Sequence, residues 1–188
     1  MLYILEKMTS LCFFNALFSI KTEGHEAIPE KGPFLLAPNH PSFYDPPLLG
    51  TFINRKLFFL GKEEMFNNPL ACAFFRHLGG IPLKRNTGDA AGMREALRVL
   101  QEKPLVMFPQ GKVGASMDTV NPGVGFLARK SGVPVIAARI RGAECIPPLI
   151  KNMFKRKKIR ISFAPVGVQP DDTNETIARR IMETIKNL

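Results

Sequence analysis

Short apolar runs of strand length alternate along this chain with segments whose apolar residues recur at helical spacing. Strands are predicted for the runs at 34–37, 56–60, 81–83, 105–108, 133–140 and 159–163. Helices are predicted for the segments at 46–53, 68–77, 89–102, 121–131 and 171–188. Alternation of this kind predicts an α/β fold with a mostly parallel central sheet and helices on both faces.

The first 20 residues, MLYILEKMTSLCFFNALFSI, predict an apolar, amphipathic helix ahead of the main domain. Glu6 and Lys7 interrupt the apolar stretch, and spanning a bilayer takes roughly 20 uninterrupted residues. A clear basic start and cleavage site for a signal peptide are also missing. Residues 1–20 therefore either pack on the domain or lie in a membrane interface, and residues 21–188 are predicted to form a single α/β domain.

The chain is strongly basic, with 26 Lys and Arg residues against 16 Asp and Glu residues and a formal charge of +10. This charge favours an anionic partner: a phosphate-bearing metabolite, an anionic membrane surface or nucleic acid. Six of the cations lie in the run KNMFKRKKIR at 151–160, which is either a solvated turn or a patch for anionic headgroups. Nucleic acid is the least favoured partner because no binding motif is present.

Three loops that follow predicted strands carry polar side chains. The loop APNHPSFYDP at 37–46 follows the first strand, Lys62 follows the second, and the loop FPQGK at 108–112 begins where the fourth ends. In a parallel sheet such loops meet at one edge, where α/β proteins bind their ligands. The spacing therefore predicts a site at that edge.

The first of these loops contains a histidine and an aspartate five positions apart, His40 and Asp45. A histidine exchanges a proton near neutral pH, and a carboxylate on one ring nitrogen leaves the other nitrogen free to act as a base. Because no G-x-S-x-G is present, such a base would act on a substrate hydroxyl. The alternative is that Asp45 caps the helix that begins at Pro46 and His40 is an ordinary loop residue. The three separated cysteines and the isolated histidines favour neither a disulfide framework nor a metal site.

The segment from Asn39 to Asp45 resembles the N-H-x-x-x-x-D signature of the glycerolipid acyltransferase family, which includes the lysophosphatidic acid acyltransferases. Three further blocks follow in the family's order: GIPLKR at 80–85, FPQG at 108–111 and VPVI at 133–136. The resemblance covers roughly residues 20–165.

This resemblance implies acyl transfer from an acyl thioester, on coenzyme A or acyl carrier protein, to a lysophospholipid hydroxyl, most consistently that of 1-acylglycerol-3-phosphate. It implies no cofactor beyond that co-substrate. His40 would be the general base and Asp45 its orienting carboxylate. Substrate-binding roles are implied for Asn39, Lys62, Arg85, Gln110, Gly111 and Lys112.

The resemblance also bears on location and partners. It implies a peripheral or monotopic protein on the cytoplasmic face of a membrane, with residues 1–20 as an interfacial anchor on an anionic surface. For Lys62 and Arg85 the alternative is an ordinary solvated surface charge.

The third block departs from the family pattern. Gln110 replaces the usual glutamate, and Val113 replaces an arginine that would help to hold phosphate. Lys112 could substitute for it but lacks the planar fork of an arginine. These changes leave open a different acceptor headgroup, and they leave open a catalytically silent lipid- or membrane-binding protein on the same scaffold.

Overall fold

The computed structural model describes residues 2–84, 89–145 and 157–188. The described helices are α1 Leu2–Leu17, α2 Asp45–Phe52, α3 Pro69–His77, α4 Ala90–Leu100, α5 Gly123–Ser131 and α6 Asn174–Asn187. The described strands are β1 Phe18–Glu23, β2 Leu35–Pro38, β3 Phe58–Lys62, β4 Gly80–Leu83, β5 Leu105–Val106, β6 Val135–Arg141 and β7 Lys157–Val166. Arg85 and residues 151–156 of the basic run lie outside the described residues.

The strands form one sheet in the order β1-β7-β6-β2-β5-β3-β4. Strand β2 pairs in parallel with β5 and β6, and β3 pairs in parallel with β4 and β5. Strand β7 runs antiparallel to β6, and β1 follows the direction of β7. The predicted α/β class with a mostly parallel sheet is therefore confirmed, and β1 and β7 are the reversed strands.

Each face of the sheet buries its own hydrophobic cluster, as expected for a two-sided α/β layer. Side chains of α4, α5 and α6 cover one face together with Leu35 of β2. Side chains of α1 and α2 cover the other face together with Leu36. Successive residues of β2 point to opposite faces, so a continuous apolar run was needed there. Each fully buried leucine of this kind stabilises the fold by about 1.5–3 kcal/mol.

The N-terminal segment differs from the prediction. The helix ends at Leu17, and residues 18–20 begin β1, which pairs with β7. The predicted boundary at residue 20 is therefore wrong, because it cuts a strand of the central sheet. Phe14 of α1 is only 2% exposed, whereas Met8, Leu11 and Phe13 are exposed. Among the described residues, no helix is long and apolar enough to cross a membrane.

The starts of two helices differ from the prediction. Tyr44 is the N-cap of α2, and Asp45 lies in its first turn with its carboxylate turned back to the preceding loop. Thr173 caps α6 by accepting a hydrogen bond from the Thr176 N–H, so this helix begins at Asn174 and not at the predicted residue 171. Asp172 instead pairs with Arg180.

Candidate active site

The loop after β2 is held in place by the side chain of Asn39. Its Nδ2 donates to the Ile140 carbonyl at 2.9 Å, and its Oδ1 accepts from the Ile140 N–H at 2.6 Å. The amide thus continues the pairing of β2 with β6 by one further rung. Because both its polar atoms are engaged, Asn39 positions the loop in this structure, and its contact with substrate stays a prediction.

The backbone of His40 is fixed from both sides. Its N–H donates to Gln110 Oε1 at 2.7 Å, and its carbonyl accepts from the Gly114 N–H at 2.7 Å. The buried Gln110 also donates from Nε2 to the carbonyls of Ala115 at 2.5 Å and Ser116 at 3.2 Å. Gln110 therefore ties the His40 loop to the loop after β5, and it needs both an acceptor and a donor to do so.

The side chains of His40 and Asp45 form a buried pair. His40 Nδ1 lies 2.7 Å from Asp45 Oδ2, which also accepts from the Ser42 N–H at 2.9 Å. The imidazole stacks on Phe108, with ring centroids 3.8 Å apart and planes 17° apart. An ionised carboxylate only accepts hydrogen bonds, so Nδ1 carries the proton and Nε2 keeps a lone pair. Among the described residues Nε2 has no partner.

Asp45 is 0% exposed, and its Oδ1 has no hydrogen-bond partner among the described residues. Burial raises the pKa of this carboxyl, and the hydrogen bonds from His40 and Ser42 oppose the rise. A buried carboxylate with an unpaired oxygen gains most from a cation beside it. The Asp45 carboxylate therefore lies where it can hold the Nδ1 proton and leave the Nε2 lone pair facing outward from the pair.

His40 lines a cleft of about 250 Å³, referred to below as the His40 cleft. Two cations at the end of β6, Arg139 and Arg141, share this cleft with Gln110 and Glu144. Sequence reasoning missed both arginines. Their positions at the carboxyl end of a predicted strand were a usable signal, but that β6 lies beside β2 was not readable from spacing.

Gly111, Lys112 and Lys62 lie around this edge of the sheet without lining the His40 cleft. Gly111 has φ of +72°, which glycine adopts without strain, and its N–H donates to the Phe108 carbonyl at 3.0 Å. This hydrogen bond closes a turn, so the Gly111 N–H is engaged within its own loop. Lys112 is exposed, and the exposed Lys62 at the end of β3 pairs with Glu64 at 3.0 Å. Substrate contact by Lys62, Lys112 and Arg85 stays a prediction.

The model of the family described as Acyltransferase matches residues 19–141. This chain belongs to that family. It is therefore an O-acyltransferase, and the predicted family is confirmed.

Two relatives are similar over most of the chain. A 1-acyl-sn-glycerol-3-phosphate acyltransferase of Streptococcus pneumoniae is 25% identical over 186 residues, covering 92% of this chain and 68% of the relative. The crystal structure of the 1-acyl-sn-glycerophosphate (LPA) acyltransferase from Thermotoga maritima superposes with a TM-score of 0.79 and 25% identity. The superposition covers 98% of this chain and 77% of the Thermotoga maritima chain.

Proposed function

We propose that this acyltransferase moves an acyl chain from an acyl thioester, on coenzyme A or acyl carrier protein, to the free hydroxyl of a lysophospholipid. The leading acceptor is 1-acylglycerol-3-phosphate, the substrate that the names of both relatives carry. The observation that carries the proposal is the buried His40–Asp45 pair beside a cleft that contains arginines. A base and a cation in one cleft suit a hydroxyl next to a phosphate.

The reaction needs one base and no covalent acyl-enzyme. Nε2 of His40 takes the proton of the acceptor hydroxyl while the oxygen attacks the thioester carbonyl carbon. The tetrahedral intermediate collapses, the carbon–sulfur bond breaks, and the thiolate takes the proton back from the imidazolium. The products are the ester and the free thiol. Asp45 holds the Nδ1 proton throughout and stabilises the imidazolium.

In this proposal Arg141 binds the phosphate of the acceptor. Val113 stands where the family carries an arginine, so a cation has to come from another element. Arg139 donates to the carbonyls of Ile185 and Lys186 at the end of α6, and its guanidinium is thereby engaged. Arg141 is exposed at the edge of the His40 cleft and can present its planar fork to phosphate.

The protein acts, in this proposal, on the cytoplasmic face of a membrane as a peripheral or monotopic protein. Helix α1 exposes Met8, Leu11 and Phe13, and Phe43 in the His40 loop is 82% exposed. Exposed apolar side chains of this kind suit insertion at the boundary of headgroups and acyl chains. The charge of +10 favours an anionic surface.

The enzymatic proposal is tested by thiol release from acyl-coenzyme A, with purified protein in mixed micelles and a panel of lysolipids. We expect release that depends on 1-acylglycerol-3-phosphate and is lost in His40→Ala, which should still bind micelles. Preference for another lysolipid would reassign the acceptor. Silence with every acceptor, and with acyl carrier protein as the donor, would favour the alternative of a lipid-binding protein without activity.

The membrane proposal is tested by flotation with vesicles that contain phosphatidylglycerol. Met8→Ser/Phe13→Ser should reduce binding several-fold, because it removes exposed apolar side chains. Leu70→Ser/Phe74→Ser removes exposed apolar side chains from α3 and should bind like the wild type. If the α3 variant were the one to lose binding, α1 would not be the anchor.

A further inference from the structure

A second and larger cleft, of about 540 Å³, opens on β1, β6 and β7. Four cations line it: Lys21, Arg141, Lys158 and Arg160. We call it the basic cleft. None of the motif blocks contains any of these four residues, and Arg141 alone also lines the His40 cleft.

Strand register arranges three of these cations in one row. Lys21 pairs with Arg160 across β1 and β7, and Arg160 pairs with Arg141 across β7 and β6. Residues paired in this way lie on the same face of neighbouring strands, which are about 4.8 Å apart. The row therefore extends about 10 Å from Arg141 to Lys21.

The row is poorly neutralised by the protein itself. Glu23 lies 2.8 Å from Lys21 and 3.9 Å from Arg160. Within residues 2–84, 89–145 and 157–188, no other carboxylate lies within ion-pair distance of the four cations. Like charges directly opposite each other on neighbouring strands destabilise a sheet. An anionic ligand would remove that repulsion.

Sheet topology places the basic cleft beside His40. Strands β2 and β6 are parallel, so Arg141 lies at the same edge of the sheet as the His40 loop. Strand β7 runs antiparallel to β6, which brings its amino end, with Lys158, to that edge. The shared Arg141 makes the two clefts neighbours, and one ligand could occupy both.

We infer that Lys21, Lys158 and Arg160 of the basic cleft bind the phosphate groups of the acyl donor, coenzyme A with its 3′-phosphorylated adenosine diphosphate, while Arg141 is left to the acceptor. The inference rests on the proposed function and names the donor that it left open. In the acceptor, the phosphate is on the carbon next to the one that carries the free hydroxyl. It must therefore lie in the His40 cleft itself and cannot reach Lys21.

The donor has the opposite geometry. Its thioester is separated from its phosphates by the long pantetheine arm, and those phosphates are several anionic groups close together. A row of cations that begins at the edge of the His40 cleft and leads away from it fits this spacing. Arginine forks and lysine point charges both bind phosphate oxygens through charge-assisted hydrogen bonds.

The first test measures binding without turnover. Calorimetry with free coenzyme A should show Lys21→Gln/Arg160→Gln binding at least tenfold more weakly than the wild type. The matched control is Arg129→Gln/Lys130→Gln, which removes two exposed cations from the last turn of α5, at the opposite edge of the sheet. It should bind coenzyme A like the wild type. Equal dissociation constants for all three proteins would overturn the inference, whether or not the protein proves active.

The second test separates the donor phosphates from the acceptor phosphate. In the Lys21→Gln/Arg160→Gln variant the KM for acyl-coenzyme A should rise about tenfold, with the KM for lysophosphatidic acid unchanged. With acyl-pantetheine as the donor, which lacks the phosphates of coenzyme A, variant and wild type should be alike. A rise in the acceptor KM instead would assign the cleft to lipid phosphate and overturn the donor assignment.

The same variants also test whether the basic cleft binds a membrane surface or acyl carrier protein. Vesicles that contain phosphatidylglycerol should bind the Lys21→Gln/Arg160→Gln variant and the control variant equally. Acyl carrier protein should likewise not distinguish the two variants. Selective loss of either interaction, with coenzyme A binding intact, would show that the cleft serves a membrane or a protein, contrary to the inference. Unchanged melting temperatures would exclude misfolding as the cause.

Discussion

At the scale of single residues, Asp45 combines two demands that oppose each other. It is fully buried, which favours its neutral form, yet orienting His40 requires the carboxylate. The Ser42 N–H and His40 Nδ1 supply the hydrogen bonds that hold the charged form in place. This tension is typical of carboxylates retained for function rather than for stability.

The raised pKa of Asp45 should make the free energy of unfolding depend on pH. Because the folded-state pKa lies above the ordinary value of 3.8, the folded state retains this proton to higher pH than the unfolded state does. The contribution of Asp45 to stability therefore falls as pH rises from about 4 through the raised pKa. Urea unfolding at a series of pH values in this range should show the decrease in the free energy of unfolding for the wild type. The Asp45→Asn variant should not show that decrease. A constant difference between variant and wild type would contradict the prediction.

Gln110 presents a second prediction at this scale. Gln110→Glu would restore the family's usual residue but remove the donor to the Ala115 and Ser116 carbonyls. It would also bury a negative charge. We expect a loss of about 1–3 kcal/mol in the free energy of unfolding, with lower activity, as measured by chemical denaturation and thiol release. If Gln110→Glu were as stable as the wild type, the donor role of Nε2 would be unimportant.

At the scale of elements, helices α5 and α6 pack closely at a glycine. A Cβ at Gly125 would lie 1.9 Å from the Asn174 carbonyl oxygen, whereas a Cβ at Gly50 in α2 would meet nothing within 4 Å. Gly125→Ala should therefore lower the free energy of unfolding by about 1–3 kcal/mol. Gly50→Ala should raise it by about 0.4–1 kcal/mol, because alanine favours a helix. Thermal or urea denaturation of the two variants measures both signs, and equal effects would refute the packing argument.

The contribution of the start of α6 to the stability of the fold should decrease at acidic pH. Asp172 accepts from Arg180 at 2.5 and 2.8 Å, and this hydrogen-bonded pair, with the Gln169 N–H, lowers the pKa of Asp172 to about 2. A lowered folded-state pKa stabilises the fold above the ordinary value of 3.8, and this contribution disappears as pH falls towards 2. Asp172→Asn should therefore be less stable than the wild type at pH 6, with the difference shrinking between pH 4 and pH 2. A difference that grew on acidification would reverse the sign and contradict the assignment.

At the scale of the whole molecule, charge and exposed apolar surface act together. The net charge of +10 attracts anionic lipid over roughly 10 Å at 0.1 M salt, whereas apolar insertion is insensitive to such screening. Sedimentation with vesicles that contain phosphatidylglycerol should therefore weaken several-fold between 50 and 500 mM NaCl without vanishing. Complete loss of vesicle binding at high salt would show that Met8 and Phe13 do not contribute to binding. Vesicle binding that did not change with salt would show that the net charge does not contribute.

Elements that depend on residues close together in the sequence were predicted, and elements that depend on distant residues were missed. Strands such as β2 and the helix at Pro69 were predicted because local apolar spacing and turn residues define them. Strand β1 was missed because its alternation of Phe18 and Ile20 with polar residues follows a helix without a break, and only β7, more than a hundred residues later, makes it a strand. The predicted capping role of Asp45 failed because its partner, His40, competes for the same carboxylate.

The sequence by itself determined the α/β layering, the His40–Asp45 spacing and the family, since side-chain periodicity and short motifs are local properties. Tertiary structure alone decided which cations meet His40. Asn39 and Ile140 are 101 residues apart, and their pairing brings Arg141 to the His40 cleft while Lys62 and Lys112 stay outside its lining. Strand order and register depend on burial summed over the whole sheet, and no local spacing contains that information.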